Sequence, residues 1–178
     1  MSALRIGPST IGNGHPCFIV AELGANHNGD LETAARMLYA AKGAGADAVK
    51  VQCRTPELAI PREQQAAMKQ TPWQPEPMTY LEYRRRLELS EGALKVLAIA
   101  AERLGIILFA SAWDVPALAR CVRTLGPPCV KIPSACLTDD GLLRAAARTR
   151  LPIFLSTGMS TAEQISHAVD VLDLAEMA

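Results

Sequence analysis

Residues 17–52 read CFIVAELGANHNGDLETAARMLYAAKGAGADAVKVQ, two apolar runs with a helix-period segment between them, and this stretch decides the fold. Cys17-Phe18-Ile19-Val20-Ala21 predicts a buried strand that ends at Glu22. Asp30 is placed to cap a helix whose apolar positions Leu31, Ala34, Ala35, Leu38 and Ala41 recur at helical spacing. Gly43 and Gly45 end that helix. Ala48-Val49-Lys50-Val51-Gln52 predicts the next strand. Two strands joined through a helix are parallel, because only a crossover of that length can return the chain to run the same way.

Downstream the same unit repeats, after one interruption. From Cys53 to about Met78 the chain is rich in Pro, Gln and Glu, with Trp73 among the prolines. It reads as too irregular for a strand and too long for an ordinary βα connection, and so as an excursion over a site. A single helix with the stripe Leu87, Leu94, Leu97, Ala98, Ala101 and Leu104 is expected next, stopped by Gly105. Ile106 to Ala110 predicts a third strand, followed by a helix capped by Asp114, with Pro116 in its first turn and Gly126 past its end. Cys129-Val130-Lys131-Ile132 predicts a fourth strand with a helix from about Asp139 to Arg148 after it, and Ile153-Phe154-Leu155 a fifth. Ser160 and Glu163 have capping-box spacing for a last helix carrying Ile165, Ala168, Val169 and Leu172 on one face. Five alternating strands and helices, the strands apolar on both faces, predict an α/β fold of parallel βα units. Upstream, Leu4-Arg5-Ile6 and Ser9-Thr10-Ile11 flank Gly7-Pro8 as a β-hairpin that would plug one end.

Bulk properties remove several function classes. Lys plus Arg and Asp plus Glu are both 18, so no basic excess favours nucleic acid, and 4 % aromatic residues leave little for base stacking. No apolar run is long enough to span a membrane, and the first residues lack a signal-peptide core, so the expectation is a cytoplasmic protein. The five cysteines are odd in number and show no CxxC pair, which speaks against a zinc knuckle or a dithiol motif. Cys17 and Cys129, inside apolar runs, read as buried small hydrophobes.

Polar residues fall where the strands end, which in parallel βα folds is where chemistry collects. Glu22 ends the first strand, Lys50 and Gln52 the second, Ser111 and Asp114 the third, Lys131 and Ser134 the fourth, Ser156 and Thr157 the fifth. Two lysines inside apolar strands need either a carboxylate partner, such as Glu22 or Asp47, or a shared anion bearing phosphate and carboxylate groups. Glu22 itself either neutralises a lysine or moves a proton. The loop Ser156-Thr157-Gly158-Met159-Ser160 offers hydroxyls and backbone N–H groups to a phosphate, or simply caps a helix. His27 in the first βα loop reads as a residue that ties its loop. With three histidines and no paired spacing, no metal site is expected in the chain.

Four blocks carry a family resemblance. Ile19-Val20-Ala21-Glu22-Leu23-Gly24-Ala25-Asn26-His27-Asn28-Gly29-Asp30 resembles the opening signature of the sialic acid (N-acetylneuraminate) synthase family. Residues 45–52, the block Lys131-Ile132-Pro133-Ser134 and residues 155–161 resemble its later blocks in the same order. The resemblance implies a TIM (β/α) barrel that condenses phosphoenolpyruvate with N-acetylmannosamine or a related amino-sugar aldehyde, giving a nonulosonic acid and phosphate. It places Lys50, Ser111, Lys131, Ser134 and Ser156 on phosphoenolpyruvate and Glu22 and Lys131 at the reacting centre. Asn26, His27, Gln52 and Trp113 fall on the sugar side or the lid. A divalent metal, Mn2+ or Mg2+, belongs to the family, but its histidine ligands lie on later strands and are expected to be missing here.

The chain also departs from the family pattern. Ala110-Ser111-Ala112-Trp113 stands where Ser-Thr-Pro-Phe is frequent, and Ala135-Cys136 where many members have Gly-Glu, which removes a carboxylate. Eight βα units need about 200 residues, so residues 1–178 are expected to form a single incomplete barrel of about five units, without the family's C-terminal antifreeze-like domain. Truncation is the favoured explanation, beside completion by another copy in a homo-oligomer or a degenerate, inactive relative. The competing functions are a non-catalytic anion-binding or assembly module, and another phosphoenolpyruvate aldol synthase making octulosonic or heptulosonic acid phosphates.

Overall fold

The computed structural model describes residues 3–71 and 74–176, so Trp73 lies outside the described residues. Five strands form one parallel sheet: β3 (Val20–Gly24), β4 (Ala48–Cys53), β7 (Ile107–Ala112), β8 (Val130–Ile132) and β9 (Ile153–Leu155). They neighbour one another in chain order, β3-β4-β7-β8-β9, which is how successive βα crossovers of one hand build an arc of a barrel. The crossovers are α1 (Leu31–Gly43), α5 (Glu91–Leu104), α6 (Val115–Leu125) and α7 (Asp140–Ala147), and α8 (Ala162–Glu176) follows β9. Before the sheet, β1 (Leu4–Ile6) and β2 (Ser9–Ile11) pair as the expected antiparallel hairpin.

Alternation along each strand sorts the residues into two faces. Val49, Val51, Cys53, Leu108 and Ala110 pack outward with α1 and α5, while Val130 and Ile132 pack outward among the side chains of α7 and α8. The inner face is apolar only in its lower layer. There Ala48, Phe109, Cys129, Val20 and Phe154 close around Ile6 of the hairpin, and the rings of Phe109 and Phe154 stack with centroids 5.8 Å apart. Burying Ile6 completely contributes roughly 1.5–3 kcal/mol. Above that plug the inner face turns polar, so the expectation of strands apolar on both faces holds for the bottom of the arc alone.

Several expected boundaries shift. The first strand begins at Val20, not Cys17, and Cys17 is exposed. Its neighbour strand starts at Ala48, opposite Val20, so earlier residues have no ladder to join; Ile19 N instead donates to the Asp47 carboxylate at 2.7 Å. The excursion is more ordered than expected: α2 (Pro56–Ala59) and α3 (Arg62–Gln65) precede an antiparallel hairpin of β5 (Met68–Thr71) and β6 (Gln74–Thr79). Its polar composition hid two strands that pair with each other.

The single long helix expected before the third strand is two. A capping box of Thr79 and Glu82 opens α4 (Tyr80–Leu87), and Ser90 caps α5, with Glu88 turned inward between them. On α8 the reciprocal cap is made by Thr161 and Gln164, one residue after the expected Ser160 and Glu163. Ile165, Ala168 and Leu172 pack inward as expected, but Val169 is exposed and Val171 is buried in its place. Among the described residues no helix is long and apolar enough to cross a membrane.

Candidate functional site

The polar layer lies at the carboxyl ends of the strands, directly above the hairpin plug. Glu22 is the register partner of Lys50, Gln52 of Ser111, and Ser111 of Lys131, so period-2 alternation brings all five to the inner face. Lys50 Nζ forms an ion pair with Glu22 Oε2 and donates to Ser111 Oγ at 2.8 Å. Lys131 Nζ donates to the carbonyl of Ile132 at 3.0 Å, and among the described residues no carboxylate pairs with it. Its ammonium is held below the usual lysine value, first by burial and then by the charge of Lys50. Of the two lysines, one therefore has the carboxylate partner that simple neutralisation requires. The other does not.

Ser134 opens a short 3-10 turn after β8. A Cβ placed on Gly158 would lie 3.5 Å from Ser134 Oγ, so the Ser156–Ser160 loop packs over that hydroxyl. Ser156 N is already committed to the carbonyl of Ile132 at 3.1 Å. Met159 takes a left-handed backbone (φ 61°) and is fully exposed at the loop tip. Cys136 donates to the carbonyl of Trp113 at 3.4 Å, and burial pushes its thiol up to about 11. It adds no charge to the site at neutral pH.

On the β3–β4 side Gly24 sits at a register shift with φ 59°, a left-handed conformation that favours glycine. The point its Cβ would occupy lies 3.5 Å from Glu22 Oε1 and 3.6 Å from both Asn26 Nδ2 and Gln52 Nε2, so these three side chains ring one small space. His27 is buried; its Nδ1 accepts from Gly29 N at 3.0 Å, and burial lowers its pKa. Gly29 approaches so closely that a Cβ would stand against the carbonyl of Arg86, which pins the first βα loop to the end of α4.

Two residues that strand-end counting overlooked complete this side. Arg54, 3 % exposed, places Nε 2.6 Å from Glu88 Oε1, while its backbone N donates to Glu88 Oε2 at 3.1 Å. Burial raises the Glu88 pKa, against the opposing pull of Arg54. The guanidinium lies 5.0 Å from the Trp113 ring centroid and donates through Nη2 to Gln52 Oε1. The signal in the sequence was faint: an arginine directly after a strand, facing a glutamate that breaks a helical stripe. Asp114 is spent on structure, since its carboxylate accepts from Ala117 N at 2.7 Å and from Thr55 N and Oγ1. Among the described residues no three His, Cys, Asp or Glu side chains gather to hold a metal ion, so the divalent ion that the resemblance implies finds no fitting donor set there.

Known proteins resemble this chain in sequence and in fold. Residues 37–178 match the NeuB family. N,N'-diacetyllegionaminic acid synthase of Legionella pneumophila is 37 % identical over 90 % of this chain and 45 % of its own length. Human N-acetylneuraminate-9-phosphate synthase is 32 % identical over 91 % of this chain and 45 % of its own. The crystal structure of a sialic acid synthetase from Leptospira borgpetersenii, in complex with citrate, superposes with a TM-score of 0.84 at 29 % identity, covering 98 % of this chain and 56 % of that one. The chain spans about half the length of the curated relatives it matches.

Proposed function

This chain belongs to the NeuB family, and from that premise we propose that its inner polar layer binds phosphoenolpyruvate for condensation with an amino-sugar aldehyde such as N-acetylmannosamine. The observation that carries this reading is Lys131, a half-buried ammonium without a carboxylate partner among the described residues, adjoining the Lys50–Ser111 pair. A buried, unpaired cation is costly, and a ligand with several negative charges offsets that cost as no neutral ligand can. Lys131 and Lys50 hold the phosphate and carboxylate. Ser111, Ser134 and Ser156 supply hydroxyl donors to oxygens on which charge develops.

The chemistry balances with water as the third reactant. The methylene carbon of phosphoenolpyruvate bonds to the aldehyde carbon, whose oxygen takes up a proton. Water adds to the carbon bearing the phosphate, and the C–O bond to phosphate then breaks, leaving a 2-oxo acid. Glu22, beside Lys50 and facing the space above Gly24, is the carboxylate placed to accept the proton of the incoming water. Asn26, Gln52 and Trp113 line the sugar side, and His27 holds the first loop in shape. No step is assigned to a metal, because the described residues do not assemble a site for one. The unit is a single barrel domain of synthase type, here with five βα units.

Calorimetry tests the proposal. Phosphoenolpyruvate should bind the chain, and Lys131→Ala should weaken it about 10–100-fold, the worth of one charge-assisted hydrogen bond. Equal affinity in the two proteins would sink the assignment. Product formation from phosphoenolpyruvate and N-acetylmannosamine with added Mn2+ then tests whether binding leads to condensation.

A further inference from the structure

Arg54 is held from several directions. Glu88 lies against its Nε side, Trp113 covers its plane, Arg120 Nη2 donates to its carbonyl at 3.0 Å, and its Nη2 arm reaches Gln52 Oε1. A buried ion pair of this kind is seldom kept for stability alone, because desolvating both charges consumes most of their attraction. What it fixes here is the direction of an amide.

A guanidinium carries donors only. Gln52 must therefore turn its oxygen to Arg54 and its NH2 group away, and the NH2 faces the space above Gly24 shared with Glu22 and Asn26. Without Arg54 that hold on the oxygen is lost, and the amide is free to turn either its donor or its acceptor toward the space shared with Glu22 and Asn26. Resting on the sugar-side reading of Gln52 given above, we propose that Arg54 is a positioning residue that locks the Gln52 amide as an inward hydrogen-bond donor, so that the site selects an acceptor oxygen, carbonyl or hydroxyl, on the aldehyde substrate.

The contact can be read without any ligand. In the 1H–15N spectrum of the free chain, the Gln52 side-chain amide, assigned by its loss in Gln52→Leu, should give two dispersed resonances of low mobility. Arg54→Lys keeps a cation for Glu88 but lacks a second arm for Gln52. In that variant the pair should move to the position of a free, mobile glutamine while the backbone spectrum is retained. An unchanged amide pair overturns the proposal. Should Arg54→Lys not fold, Gln52→Leu reads the same contact from the other side: the Arg54 guanidinium resonances must shift, and their constancy overturns it equally.

The ligand arm uses N-acetylmannosamine in the presence of phosphoenolpyruvate. Arg54→Lys and Gln52→Leu should each weaken sugar binding about tenfold, the double variant no further, and phosphoenolpyruvate affinity should stay constant. A residue with a merely structural role would lower stability without coupling to Gln52 in the sugar Kd. If the unsubstituted chain takes up no phosphoenolpyruvate, the proposed function fails, while the amide resonances still decide the role of Arg54.

Discussion

The two inward lysines stand on the same sheet in opposite electrostatic circumstances. Lys50, on the β3–β4 side, is neutralised by Glu22 and bonded to Ser111; just past the end of the same strand, Arg54 is neutralised by Glu88. Lys131, on the β8–β9 side, bonds to a carbonyl oxygen, has no carboxylate in ion-pair contact among the described residues, and feels the repulsion of Lys50 more than the attraction of Glu22. Charge that is already paired holds neighbouring groups in place, and charge left unpaired is available to an incoming anion. The β3–β4 side thus keeps its charges paired, while the unpaired charge on which the proposed anion site depends lies on the β8–β9 side.

The largest effect should come from breaking the paired side. Glu88→Ala leaves the Arg54 guanidinium buried without its counter-charge and should cost about 3–5 kcal/mol in urea denaturation. A loss below about 1 kcal/mol would show that the pair does not organise that side. Lys131→Ala should do the reverse, weakening phosphoenolpyruvate while leaving stability unchanged or slightly raised, since it removes an ammonium that burial and Lys50 both disfavour. A clear loss of stability in that variant would erase the contrast between the two sides.

A pH series sharpens the same point. The folded Lys131 pKa lies below the unfolded value of 10.5, so over the window just below 10.5 the unfolded chain holds more protons than the folded one. Stability from this residue therefore rises with pH there, whereas phosphoenolpyruvate affinity falls as the ammonium is lost. Denaturation and calorimetry across that window should show opposite trends, both flattened in Lys131→Ala.

The smallest effect concerns the loop above Ser134. Thr161→Ala should cost about 1 kcal/mol as loss of the α8 N-cap, and Ser160→Ala less than about 0.5 kcal/mol. Reversed magnitudes in thermal unfolding would restore the cap to Ser160.

Much of this was legible in the sequence because the controlling interactions are local. Asp30, Asp114 and Asp139 cap the helices that their spacing to the following apolar residues announces. The inward lysines are recognisable because strand period and cost of burial together mark Lys50 and Lys131. What escaped depended on partners far along the chain. The start of the first strand depends on where Ala48 lies, the break at Glu88 depends on Arg54, 34 residues earlier, and the hairpin at 68–79 depends on pairing with itself rather than on any apolar signal.

The amino-acid order by itself determined the alternation of strands and helices, the hairpin at the start and the polar character of the strand ends, since these follow from hydrogen-bond geometry and periodic burial within short segments. Only the tertiary structure decided which charge meets which. It paired Lys50 with Glu22 and Arg54 with Glu88 and left Lys131 without a carboxylate partner among the described residues. Electrostatic partnership acts through space, over a few ångströms between side chains dozens of residues apart, and sequence spacing carries no measure of that distance.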